Sequence, residues 1–235
     1  KPSTPCANGS LVSANPDPAT DMQNDPVTPQ GRQHVTIGEQ VLTIETPPDL
    51  DALLDRAAAV DPQAVDAIPY YAILWPAAHG LACDLWEQRE RLPRLHVIEL
   101  GCGLGLPSIL AARLGATVTA TDFHPDTGDW LQHNAALNHV RIEYQVLDWN
   151  DCLDRSHPLC EQPVPLVIGS DLLYERRHIP ALVGAIDALC APDGQAIIAD
   201  PGRDHLPLFT AAMQATGWHA TLHPADDIYV CRFER

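Results

Sequence analysis

The chain has 235 residues, 46% of them hydrophobic, which is enough for one α/β domain with a real core. Thirty-one acidic against 14 basic side chains leave a formal net charge of −17; such a chain repels phosphate backbones, so no nucleic-acid partner is expected, and cationic partners are favoured. Seven scattered cysteines without a C-x-x-C pair argue against a disulfide framework or a zinc site, and the absence of any apolar run of about 18 residues argues against a membrane partner.

Reduced thiols and an opening KPSTPCANGS without a signal peptide's apolar segment predict a cytoplasmic protein. Residues 1–32 are rich in Pro, Asp, Asn, Ser and Thr without apolar periodicity, and predict a flexible tail. HVTIGEQVLTIETP alternates about Gly38 and predicts a β-hairpin; DLDALLDRAAAV, opened by an Asp cap, predicts a helix. Residues 33–68 thus form an N-terminal extension. PAAHGLACDLWEQRE predicts a helix with Leu81, Leu85 and Trp86 on one face.

From residue 96 strands and helices alternate. HVIELGC, TVTATDF, RIEYQVLDW, VPLVIGSDLLY, QAIIADP, HATLHPA and DIYVCRFER read as strands. LPSILAARLG, DTGDWLQHNAALN, RRHIPALVGAIDALCAPDG and LPLFTAAMQATG read as helices. Continuous apolar strands between helices predict a doubly wound, Rossmann-like α/β sheet covered on both faces. The last two strands are joined too tightly for a helix, so the last strand runs antiparallel.

VIELGCGLGLPSILAARLGATVTATD, residues 97–122, carries the chemistry. Gly101, Gly103 and Gly105 form a turn between strand and helix at the carboxyl edge, where such sheets bind ligands. Asp122 ends the next strand about 20 residues on, where a carboxylate takes a ribose's hydroxyls. The third glycine comes one residue too early for G-x-G-x-x-G, and Glu99 would repel a pyrophosphate while suiting an amino group or a sulfonium. Glu99 alternatively caps a backbone turn.

This stretch resembles the nucleotide-binding motifs of the seven-stranded, S-adenosylmethionine-dependent methyltransferases. PYYAILWPAAHGLACDLW, VLDWND, GSDLLYE and ADPGR are similar to the family 16 protein lysine methyltransferases, closest to the branch acting on electron transfer flavoprotein. Their D-x-x-Y motif stands here as Asp171 to Tyr174. The resemblance covers residues 69–235 and implies S-adenosylmethionine as cofactor, S-adenosylhomocysteine as product, and a lysine-presenting protein as substrate. It implies a monomer whose N-terminal extension covers the site.

It further implies that Glu99 and Gly101 lie along the methionine part, with Gly103 and Gly105 admitting the cofactor's backbone. Asp122 would hold the ribose, with Phe123, Asp148 and Trp149 around the adenine. Trp75 would close the site. Ser170 and Asp171 would lie under the reacting methyl, and Tyr174 at the acceptor channel. Phe123 as core filler, Trp149 as loop packing, Trp75 as a helix staple and Tyr174 as a plain strand-end aromatic are the bland alternatives. A small-molecule N-methyltransferase and a cofactor-binding protein without turnover remain as competing functions.

Overall fold

The computed structural model describes residues 31–60 and 69–235. Its strands are β1 (Arg32–Ile37), β2 (Gln40–Glu45), β3 (His96–Leu100), β4 (Thr117–Asp122), β5 (Glu143–Val146), β6 (Val164–Ser170), β7 (Cys190–Asp200), β8 (His219–Ala225) and β9 (Ile228–Glu234). Its α-helices are α1 (Leu50–Val60), α2 (Pro76–Glu87), α3 (Leu106–Arg113), α4 (Thr127–Leu137), α5 (Ile179–Leu189) and α6 (Leu206–Ala215).

Alternation along the strands decides the layering. Val97, Leu166, Ile168 and Ile197 join a core with α2, α3 and α4. Ile98, Val167, Ala196 and Ile198 join a second core with α5 and α6. Successive side chains of a strand point to opposite faces, so a sheet apolar at every position needs helices on both.

The large sheet has the order β5-β4-β3-β6-β7-β9-β8. β5, β4, β3, β6 and β7 are mutually parallel; β9 inserts antiparallel between β7 and β8. The expected seven-stranded sheet with its antiparallel last strand is therefore present. Strand order reverses between β3 and β6, which opens a crevice at their carboxyl ends.

Three boundaries differ from expectation. The helix read through Gly194 ends at Leu189, and Cys190 is already extended. Pro192 explains this, because it lacks an N–H and pushes Ala191 out of the helical region. The strand read to Tyr174 ends at Ser170, because Asp171 turns the chain at φ +60°. Gly31 and Arg32 belong to the hairpin, and the rest of the expected tail lies outside the described residues.

The hairpin β1–β2 is a separate two-stranded sheet. Val35, Ile37, Leu42 and Ile44 nevertheless enter the core formed by α2, α3 and α4. Two buried asparagines of the α4 segment serve the free edge of β2. Asn134 Oδ1 accepts the Glu45 N–H at 2.8 Å and its Nδ2 donates to the Glu45 carbonyl at 3.1 Å. Asn138 repeats this with Thr43, at 2.9 and 2.7 Å. Residues four apart on a helix rise about 6 Å and residues two apart on a strand about 6.8 Å, so the two periods match. Asn134→Ala or Asn138→Ala should each cost about 1 kcal/mol, since a part-buried N–H and C=O lose their partner. A lower urea midpoint with faster proteolysis within residues 31–45 is the expected reading; unchanged values would contradict the clamp.

Candidate active site

The crevice is built where four strand ends meet. β3 runs into the glycine turn, whose Gly101, Gly103 and Gly105 all have positive φ, at +59°, +47° and +82°. A Cβ on Gly101 would lie 2.5 Å from Leu172, and one on Gly105 would lie 2.2 Å from Leu131. These two glycines make room for the protein's own side chains as well as for the turn, which the sequence reading did not foresee for Gly105. Gly103 faces the backbone of Tyr71 at 3.5 Å.

Asp122, at the end of β4, ties the turn to the sheet. Its Oδ2 accepts the Gly103 N–H and its Oδ1 the His124 N–H, both at 3.0 Å. The residue is half-buried, and burial raises its pKa against the pull of those two N–H groups. Leu147 N–H donates to the Asp122 carbonyl at 2.9 Å, which brings the end of β5 alongside. Asp148 caps the turn Trp149–Cys152 by accepting the Asn150 N–H at 2.9 Å. Phe123 is 54% exposed and so is not core filler. Trp149 is half-buried against the α5–α6 core, 6.2 Å edge-on from His178.

Glu99 is fully buried. Its Oε2 accepts both the backbone N–H of Ser108, at 3.0 Å, and the Ser108 hydroxyl, in the first turn of α3. Its Oε1 is enclosed and lacks a partner. Burial pushes the pKa up to about 8, partly offset by Ser108. At pH 7 the carboxyl thus carries a proton, where the sequence suggested a charge. The folded state holds that proton and the unfolded state does not, so the contribution to stability is full below about pH 4.5 and is lost as pH rises through about 8. Between pH 6 and 9 the loss should reach roughly 2–3 kcal/mol. Thermal midpoints should fall over that range in the wild type and fall less in Glu99→Gln; parallel profiles would contradict the assignment.

Asp171 and Ser170 end β6, both 8% exposed. Asp171 Oδ2 accepts the Ala77 N–H at 3.0 Å, in the first turn of α2, and Oδ1 accepts Arg203 Nη2 at 2.9 Å. Arg203 Nη1 reaches Asp200 at 2.8 Å. Burial lifts the Asp171 pKa to about 6 even against the guanidinium's pull, so the carboxylate is ionised at pH 7. Left-handed backbone at a non-glycine costs about 1 kcal/mol or more and collects at functional sites. With one oxygen on Ala77 and the other on Arg203, Asp171 ties the end of β6 to the start of α2 and to the turn after β7.

A row of rings borders this edge. Tyr174 lies 5.3 Å from Tyr70 and 5.5 Å from His178. Tyr70 lies 6.2 Å from Trp75, whose indole N–H donates to the Tyr70 carbonyl at 2.9 Å. Tyr71 lies 4.6 Å from His124. Trp75 precedes Pro76 at the start of α2 and staples the Tyr70–Trp75 strap. Sequence reasoning missed Ser108, Tyr70, His178 and Arg203. Arg203 had a signal in ADPGR, a cation just past a strand-end Asp, but its partner Asp171 lies 32 residues earlier. Burial pushes the Cys102 thiol far up, consistent with packing rather than nucleophilic work.

Among the described residues no His, Cys, Asp and Glu group could hold a metal ion, and no helix is long and apolar enough to cross a membrane. The site instead fits S-adenosylmethionine. The orphaned Glu99 Oε1 leaves a buried polar atom that would partner its amine, the charge of which would favour the ionised carboxylate; Asp122 would face its ribose and the exposed Phe123 its adenine.

Several known proteins resemble this chain. The bovine protein-lysine methyltransferase METTL21E is 34% identical over 130 residues, 52% of this chain and 44% of that protein. The rat histone-arginine methyltransferase METTL23 is 30% identical over 122 residues, 51% of this chain and 53% of that protein. The chain thus spans about half the length of these curated relatives. The Thermus thermophilus 16S rRNA guanine methyltransferase RsmC, solved with S-adenosylmethionine and guanosine, superposes with a TM-score of 0.59 at 17% identity. The match covers 87% of this chain and 50% of that one, and speaks for the fold alone. A family profile described as lysine methyltransferase matches residues 69–206. Its span includes the glycine turn, Asp122, D-x-x-Y and Arg203, and the chain belongs to this family of S-adenosylmethionine-dependent methyltransferases.

Proposed function

We propose that this protein transfers methyl groups from S-adenosylmethionine to lysine side chains of a protein substrate. The observation that carries the reading is the ring row Trp75–Tyr70–Tyr174–His178, set beside the glycine turn at the carboxyl edge of β3 and β6. When bound, S-adenosylmethionine supplies a methyl already activated by its sulfonium, so the protein's task is alignment and exclusion of water.

Glu99 and Gly101 hold the methionine part, and Gly103 and Gly105 shape the turn beneath it. Asp122 takes the ribose. Phe123, Asp148 and Trp149 enclose the adenine, and Ser170 lies below the methyl. A lysine of pKa about 10.4 needs about 4–5 kcal/mol to become neutral at pH 7. Aromatic faces attract the ammonium into the channel, and partial desolvation there lowers its pKa, so the proton leaves to water. Tyr174 aligns the amine. The net charge of −17 favours a basic protein surface as partner.

The test pairs purified electron transfer flavoprotein with methyl-labelled S-adenosylmethionine, with Tyr174→Phe as comparison. Label on a lysine, reduced about tenfold or more in the variant, is the expected result. Measurable cofactor binding without label would remove this acceptor. The likeness to the histone-arginine methyltransferase METTL23 makes arginine the rival residue, which hydrolysis of any labelled protein distinguishes.

A further inference from the structure

We infer that Arg203 is a positioning residue: by bridging Asp171 and Asp200 it holds the start of α2, and with it the Tyr70–Trp75 strap, against the acceptor side of the site. The inference rests on the proposed lysine-methylating function for its purpose, though not for its geometry.

The start of α2 lacks a cap of its own. Trp75 occupies the cap position without a side-chain hydrogen bond, and Pro76 follows it. The Ala77 N–H is served instead by Asp171, 94 residues away in the chain. That carboxylate is enclosed, with its side chain 6% exposed. A buried anion persists only with a counter-charge and hydrogen bonds. The start of a helix supplies part of this, and Arg203 Nη2 supplies the rest.

Arg203 is itself held firmly. Asp200, with a fully enclosed side chain, accepts the backbone N–H groups of Gly202 and Arg203 at 2.8 and 2.7 Å, and then Nη1 at 2.8 Å. The guanidinium is thus locked to the turn after β7 on one side and offers its other branch to the end of β6. A planar fork spans two carboxylates in this way, where an ammonium offers a point charge.

The chain of contacts then continues to the site. Trp75 directly precedes α2 and its indole fixes the Tyr70 carbonyl; Tyr70 in turn lies against Tyr174. Tyr71, next in the strap, sits over Gly103 and beside His124. Loosening the start of α2 therefore releases the strap at one end, while Asp122 still ties the glycine turn to β4. Arg203 thus governs the acceptor wall, while the glycine turn, though Tyr71 covers Gly103, keeps its own tie to β4 through Asp122.

Hydrogen exchange on the protein tests this without any acceptor. Arg203→Gln should speed exchange across residues 69–80 by about tenfold, with residues 106–137 unchanged. Arg203→Lys, which restores charge without the fork, should fall between the two. Affinity for S-adenosylmethionine should change by less than about threefold in both. Unchanged exchange over 69–80, or equal acceleration over the whole sheet, would overturn the inference. Should Arg203→Gln not fold, Arg203→Lys decides alone: exchange at wild-type rates there would contradict the fork. Local acceleration together with failure of every lysine-labelling test would keep Arg203's role and remove the lysine reading.

Discussion

Asp171→Ala is expected to lose about 3 kcal/mol of stability and most methyl transfer. The change removes the acceptor for the Ala77 N–H, strips Arg203 of one of its two carboxylates and leaves a non-glycine in left-handed backbone. Because Asp200 still holds the guanidinium, the loss falls at the lower end of the range for breaking a buried ion pair. For a chain of this length the thermal midpoint should fall by roughly 6–12 °C. Asp171→Asn keeps an oxygen for Ala77 and suits the left-handed conformation, so it should lose about half as much. A thermal midpoint within about 2 °C of wild type for Asp171→Ala would show that the cap does not hold α2. An effect on turnover without one on stability would return Asp171 to the acceptor itself.

Asp122→Asn is the second large effect, and it falls on the cofactor. The carboxylate's two oxygens accept Gly103 and His124, and a carboxylate oxygen with one such bond still has a lone pair to offer a ribose hydroxyl. An amide keeps one acceptor and turns a donor toward an N–H group. Charged hydrogen bonds are worth about 1.5–3 kcal/mol each, so affinity for S-adenosylmethionine should fall about 100-fold. Titration calorimetry reads this directly. Asp148→Asn should cost about tenfold at most, because its Oδ1 is already committed to Asn150. Equal losses in the two variants would contradict Asp122 as the main ribose group.

The cofactor half was legible because its determinants are local. Three glycines in five residues, a carboxylate at the end of β3 and another at the end of β4 lie within one β-α-β unit, so spacing alone places them together. Continuous apolar strands between helices likewise showed a sheet covered on both faces. What stayed hidden depends on distant pairing. Asn134 and Asn138 look like ordinary polar helix residues until β2, some 90 residues earlier, is laid beside them. A buried strand-end carboxylate such as Asp171 needs partners, and the sequence could not show that Ala77 and Arg203 are among them. Glu99 looked charged from its place at the strand end, since spacing carries no information on enclosure. The early end of the helix at Leu189 was readable from Pro192, two residues beyond Cys190, and was masked by the apolar period that runs through Leu189.

The acceptor remains the central claim, and one measurement meets it most directly. The protein is incubated with methyl-labelled S-adenosylmethionine and a cell lysate, and labelled proteins are hydrolysed to amino acids. Label in N-methylated lysine, much reduced with Asp122→Asn at cofactor levels well below the variant's Kd, is the predicted result. Label in methylarginine or in small molecules alone, with lysine unlabelled, would contradict the account and hand the site to a different acceptor.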